Sequence, residues 1–240
     1  MKRTTPRSTS TRFAFLLLTV MGLVAATSVL SVGAAASNPH NRPLGDSKVF
    51  ASYPANPGFP EAIAVNGDRI YVAGPAQFGN FLQPKVVAYD LATGAQVAEY
   101  PILGQNPLAP QAGTGLAFAK NDILYVGDLQ QGVIRFDVDE PNPVQEQYAT
   151  ALPDLQPCSL APAPCSPTTI DRTPLINELV FDKDGNLYIT DSFQATIWRV
   201  PPGGGAPEVW FQSPTFDTDF GPNGARLDPK GDKLAMPHIP

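Results

Sequence analysis

The chain has 240 residues, of which 22 are acidic, 16 basic and 27 proline, for a net charge of −6. An acidic balance with no Lys/Arg cluster argues against a nucleic-acid surface and against docking on anionic membrane. Its two histidines, His40 and His238, stand near the ends of the chain, which leaves no support for a His-built metal centre or a Ser-His-Asp triad.

Residues 1–36 read as an export signal. Lys2, Arg3, Arg7 and Arg12 give a basic start, residues 13–30 are almost continuously apolar, and Ala34-Ala35-Ala36 supplies the small residues of a cleavage site after Ala36. An uncleaved membrane anchor is the alternative, because the apolar run approaches the ~18 residues at which a span begins. Removing the segment leaves 12 basic and 22 acidic residues, a net of −10. The expected location is secreted or extracytoplasmic, with membrane contact only if the signal stays on. Residues 37–47 form an exposed, polar leader, and residues 48–240 form one domain.

Within that domain a single pattern recurs. The apolar triplets Ile63-Ala64-Val65, Leu116-Ala117-Phe118 and Leu179-Val180-Phe181 each run into a polar turn. A second apolar run follows, centred on Tyr71, Tyr125 or Tyr188. The expected strands are 61–65, 69–73, 85–90 and 96–100, then 115–119, 123–127, 133–137 and 145–149, then 178–181, 187–190, 196–200 and 208–212. One such unit cannot bury its own faces, so repetition predicts an all-β stack of four-stranded sheets, a β-propeller. A β-sandwich also has short strands and frequent turns, but its strands need not repeat in register.

Between the second and third repeats, residues 151–172 read as a long, Pro-rich surface loop. Its Cys158 and Cys165 are the only cysteines, and in an exported protein they are expected to pair. Asp182-Lys183-Asp184-Gly185-Asn186 has its glycine fourth instead of sixth, lacks the twelfth-position acid of a calcium loop, and reads as a hairpin turn. Gly203-Gly204-Gly205 lacks the lysine of a phosphate loop and reads as another. Trp198 and Trp210 are expected to pack between blades.

The fourth copy, Ala225-Arg226-Leu227, begins like the others, but Ala235 stands at the tyrosine position. Pro237 and Pro240 are expected to interrupt its second strand. The sequence thus holds three full repeats and part of a fourth. Residues 49–53 resemble the outer strand at 209–213 but precede the first inner strand, leaving an unpaired edge.

The residue two positions before each triplet is Glu61, Thr114, Asn177 and Asn223. Rotationally equivalent positions face one axis, so these oxygen-bearing side chains form a candidate ring for Ca²⁺ or a similar hard cation. Asp128 and Asp191 end the second strands and are placed beside that ring, orienting its ligands. Polar residues capping loops around a water-filled channel give the same pattern at any one position; the combination of Glu, Asn and Asn in register favours the cation.

The third-repeat hairpin at 177–191, the Pro222-Asn223-Gly224 turn and Glu61 resemble the senescence-marker-protein/gluconolactonase family. That resemblance implies a six-bladed propeller with an axial divalent cation, Ca²⁺ before Zn²⁺, hydrolysing lactones or related esters. It implies Glu61 and Asn223 as metal ligands and Asn177 as a metal or substrate contact, with Thr114 outside the recognised ligands. Glu178 stands where the family frequently has Asp. The family's essential aspartate belongs to a later blade, beyond Pro240, so no catalytic residue is assigned and a C-terminally truncated, inactive hydrolase is one expectation. A non-catalytic secreted propeller that binds a partner is the alternative.

Overall fold

The structure, a computed structural model, describes residues 47–56, 58–76, 82–119, 122–231 and 233–239. The stretch read as a signal and almost all of that read as a leader, with His40, lie outside the described residues. Three four-stranded antiparallel meanders carry the fold. The first blade is β1 (Ile63–Asn66), β2 (Arg69–Gly74), β3 (Lys85–Asp90) and β4 (Gln96–Pro101). The second is β5 (Gly113–Phe118), β6 (Ile123–Asp128), β7 (Gly132–Asp137) and β8 (Glu146–Ala149). The third is β9 (Ile176–Phe181), β10 (Leu187–Asp191), β11 (Thr196–Val200) and β12 (Glu208–Gln212). No α-helix occurs among the described residues.

The register reproduces the sequence repeat. Tyr71 stands opposite Ala64, Tyr125 opposite Ala117 and Tyr188 opposite Val180, the middle residue of each triplet. In the fourth copy Arg226 stands opposite Ala235, the same position with the tyrosine replaced. That copy is a hairpin in two pieces: β13 (Phe220–Pro222) pairs with β16 (His238–Ile239), and β14 (Arg226–Leu227) with β15 (Leu234–Ala235). The second strand breaks around Pro237, which has no amide hydrogen to donate. Its carbonyl still accepts the Asn223 N–H at 3.0 Å, so pairing resumes beyond the break.

Alternation along the strands gives each blade two apolar faces, and consecutive blades pack these face to face. Tyr71, Ala73, Val86, Ala88 and Tyr100 of the first blade meet Leu116, Leu124, Val126, Ile134 and Phe136 of the second. Tyr125, Val133 and Tyr148 then meet Leu179, Leu187, Ile189, Trp198 and Val200 of the third. Aromatic edges repeat at both junctions: Tyr71 to Phe118 at 5.0 Å, Tyr125 to Phe181 at 4.6 Å. Burying side chains of this size contributes about 1.5–3 kcal/mol each, so the inter-blade faces dominate the stability. The architecture is an incomplete β-propeller.

Two expectations need correction. Residues 49–53 form no strand. They are bonded to the middle strands of the first blade, where the Tyr53 hydroxyl donates to the carbonyls of Gly74 (2.7 Å) and Lys85 (2.9 Å), and Tyr89 donates to the Ser52 carbonyl (3.0 Å). With no strand edge beside it, the segment is held by side-chain bonds instead of a ladder. Trp198 is buried between blades as expected, but Trp210 is exposed on β12 and leans edge-on against Tyr188 at 4.8 Å.

Candidate functional site

Strand direction decides where the candidate residues meet. Each first strand begins, and each second strand ends, on the same rim of the propeller, because the two form an antiparallel hairpin. The Glu61 N–H extends the β1–β2 ladder by donating to Ala73. Thr114 and Asn177 are the second residues of β5 and β9.

These three side chains line one small cavity of about 60 Å³. Its walls are otherwise apolar and include Ala112, Leu129, Leu175 and Phe220. The volume admits a few waters or a partly hydrated ion. Asn223 does not line this cavity. The fourth repeat reaches the site through its neighbour: the Gly224 N–H donates to Asn177 Oδ1 at 3.2 Å. With that oxygen engaged, Asn177 is fixed in place and its Nδ2 is left to donate. The Thr114 hydroxyl donates to Gly127 at 3.3 Å and keeps its lone pairs.

Glu61 as a residue stays exposed, and partial desolvation of its carboxyl raises it above the ordinary glutamate range. Glu178 is raised too, by its own burial first and also by the like charge of Glu61. Two carboxylates therefore feel each other across the inner strands, although the sequence singled out only one. Arg226 offsets the charge, with its guanidinium 3.2 Å from Glu178 Oε2, and the Leu179 N–H donates to Oε1 at 3.1 Å.

The donor set suits a hard cation in kind. Glu61 offers a carboxylate, Thr114 a hydroxyl and Asn177 the second lone pair of Oδ1, whereas Ca²⁺ takes six to eight oxygens. Three side chains are a minority of that shell, so water or ligand oxygens make up the remainder. Among the described residues no group of three or more His, Cys, Asp or Glu side chains converges on a metal position.

Asp128 and Asp191 are buried at the ends of β6 and β10 and organise the turns that follow. Asp191 Oδ1 accepts the N–H groups of Leu175 (3.0 Å), Phe193 (3.1 Å) and Gln194 (3.2 Å), and Oδ2 the Trp198 Nε1–H (3.2 Å). Asp128 Oδ1 accepts the N–H groups of Gln130 (2.9 Å) and Gln131 (2.7 Å) and the Gln105 amide (3.0 Å), while Oδ2 is buried without a partner. Burial raises both carboxyl pKa values despite these donors.

A repeated device emerges that the sequence reading did not isolate, Asp-x-x-Gln followed by a residue at positive φ. It is Asp128 to Gln131 before Gly132 (φ 86°), and Asp191 to Gln194 before Ala195 (φ 52°). Each glutamine side chain then holds the segment that enters its blade. Gln131 donates to Gly104 at 2.7 Å, and Gln194 donates to Asp154 Oδ1 (2.8 Å) and the Arg172 carbonyl (3.1 Å). The signal was available, since both motifs stand three residues after a tyrosine anchor.

The insertion is thus tied down at the rim. A disulfide joins Cys158 to Cys165. Ser166 donates to the Gln194 carbonyl at 3.0 Å, and the Gln212 amide donates to the Cys165 carbonyl at 2.9 Å.

No protein-family model matches the chain, and no curated protein matches it. Solved structures do. A catalytically inactive virginiamycin B lyase from Staphylococcus aureus, with quinupristin, aligns at 12% identity and TM-score 0.47, covering 75% of this chain and 48% of that one. A gluconolactonase from Xanthomonas campestris aligns at 14% identity and TM-score 0.47, covering 75% and 54%. A protein from Lactobacillus plantarum aligns at 12% identity and TM-score 0.49, covering 74% and 48%. This chain spans about half the length of these structures. What its own sheets establish is the architecture: an all-β, incomplete propeller of three four-stranded blades and a further hairpin.

Proposed function

We propose that the chain carries the metal-dependent site of an exported hydrolase acting on small lactones or esters. The observation that supports it is the shared cavity of Glu61, Thr114 and Asn177, three rotationally equivalent side chains at the starts of three inner strands. Glu61, Thr114 and Asn177 would hold the cation, Ca²⁺ before Zn²⁺, with Asn223 nearby on the fourth repeat. When bound, the cation supplies Lewis-acid polarisation of a substrate carbonyl. The chain's own groups do the rest. Asn177 Nδ2 donates to a substrate oxygen, Leu129, Leu175 and Phe220 exclude bulk water, and Glu61 holds its negative charge at the mouth. No side chain here is assigned as the base that activates water.

Calorimetric titration of the chain with Ca²⁺, paired with hydrolysis of a lactone and ester panel, tests the reading. Saturable heat that is lost in Glu61→Gln is the expected result. Absence of both heat and turnover removes the hydrolase and leaves a propeller that presents its rim to a partner. That second reading draws support from Asn177 Oδ1 being engaged by Gly224 and from Asn223 standing outside the cavity.

A further inference from the structure

The aspartates that end β6 and β10 hold equivalent turns, but their second oxygens are treated differently. Asp191 Oδ2 accepts the Trp198 Nε1–H at 3.2 Å. Trp198 stands opposite Ile189, two residues before Asp191. The matching place in the second blade, opposite Val126, holds Ile134. An isoleucine side chain has no polar hydrogen to donate. Asp128 Oδ2 is therefore buried without a partner, in a residue with 0% exposure.

A second unpartnered acceptor belongs to the side chain bonded to it. The Gln105 amide donates to Asp128 Oδ1 at 3.0 Å, and Gln105 Oε1 is itself buried with no donor. Two acceptors, on side chains already joined by one hydrogen bond, lack a single proton between them. Leaving both unpaired costs the desolvation of each, whereas one added proton satisfies both. The surroundings of Asp128 suit a neutral acid. Facing it are the Gln130 and Gln131 N–H groups of its own turn, the Gln105 amide, and Gly113 across the β5–β6 ladder. Among the described residues no charged side chain acts on its carboxyl, which burial raises against those three donors.

We infer that Asp128 takes a proton from solvent and donates Oδ2–H to Gln105 Oε1, so that acid and amide close a two-bond clip. The clip fastens residues 103–112, the segment that enters the second blade. Gln130 fastens the same segment through the carbonyls of Asn106 (3.2 Å), Ala109 (3.3 Å) and Pro110 (2.8 Å), by bonds that do not titrate. Loss of the clip therefore loosens the segment without freeing it. Pro110 and Ala112 of this segment are walls of the cavity that Glu61, Thr114 and Asn177 line. As pH climbs through the folded value of Asp128, the proton leaves, one of the two bonds is lost, and access to the cavity widens. The clip holds whether or not the cavity takes a cation, since neither Asp128 nor Gln105 lines it.

Amide hydrogen exchange of the chain across a pH series, corrected for the intrinsic rate at each pH and read by mass spectrometry, tests this. Protection of residues 103–112 is expected to fall roughly three- to tenfold as Asp128 ionises, the worth of about one net hydrogen bond, while β10 and β11 stay constant. Asp128→Asn donates from Nδ2 to Gln105 Oε1 at every pH, so its protection stays high and flat. Gln105→Leu removes both bonds and gives low, flat protection, which serves if the Asp128 variant fails to fold. Infrared difference spectra of the parent should show a protonated-carboxyl band that Asp128→Asn lacks. Protection indifferent to pH in the parent, as a water bridging the two oxygens would give, overturns the proposal. So does a pH step that survives in both variants, or protection that follows added Na⁺ or Ca²⁺ at fixed pH, which would put an ion where the proton is assigned.

Discussion

The Gln194 side-chain amide donates to Asp154 Oδ1 at 2.8 Å while its backbone N–H donates to Asp191 Oδ1 at 3.2 Å, so one residue joins a buried turn to the Pro-rich insertion. Gln194→Ala removes the side-chain donor and leaves the Leu155 and Arg172 carbonyls without it. The expected loss is about 1–3 kcal/mol, read by urea denaturation. Limited proteolysis should then cut within 151–172 before any strand. Equal protection of that segment in the variant and the parent would show that the disulfide alone holds it.

Gly132 and Ala195 occupy the same step of the repeated turn with unequal freedom. At Gly132, φ is 86° and an added Cβ would lie 2.4 Å from the Thr150 carbonyl carbon and oxygen. Gly132→Ala therefore combines left-handed strain with a backbone clash and is expected to cost more than about 3 kcal/mol. Ala195→Gly relieves strain of about 1 kcal/mol but loses a buried methyl and gains unfolded-state entropy. Its thermal melt should stay within a few degrees of the parent. Similar melting of the two variants would contradict the geometry.

Acids raised in the folded chain, the buried Asp128 and Asp191 foremost, set the response to pH. Asp128, Asp191, Glu61 and Glu178 are all raised above their ordinary values. A raised carboxyl binds its proton more tightly in the folded chain than in the unfolded one, so its contribution to stability is complete below the unfolded value. For Asp128 that value is 3.8, and the contribution fades as pH climbs through the higher folded value. The melting temperature should therefore fall from mildly acidic to neutral pH. Asp128→Asn keeps an oxygen for the Gln130 and Gln131 N–H groups, and it should flatten that slope and melt higher than the parent at pH 7. An unchanged slope would place the titration elsewhere.

The proposed cation site at the inner strands predicts a thermal shift. At a Ca²⁺ concentration one hundred times its Kd, the folded state gains about 2.7 kcal/mol. Glu61→Gln should abolish the increment, and Asn177→Ala should reduce it while also releasing Gly224. An increment preserved in Glu61→Gln would move the binding away from this cavity.

The fold was largely legible because its information is local and repeated. A tyrosine opposite the centre of each triplet fixes pairing and facing together, since a one-residue slip would turn every side chain to the other face. That logic also located Ala235 opposite Arg226. The rim was less legible. Asp128 and Asp191 read as ligand-orienting carboxylates, and their role as acceptors for turn N–H groups depends on chain reversals that composition does not reveal. Glu178 gains its electrostatic link to Glu61 only through blade placement. Residues 49–53 look like an outer strand because their side chains suit one, but a strand needs an adjacent edge, and the first blade already has β4 in that position.

Gly115 lies in β5 where a Cβ would stand 3.0 Å from the Asn177 backbone carbonyl oxygen, the Glu178 Cα and the Leu179 Cγ. Neighbouring inner strands can approach this closely only because that position bears a hydrogen. The angular step from one blade to the next is set there, and with it the circumference on which any further blades must fit. Adding a single methyl at residue 115 would press β5 away from β9.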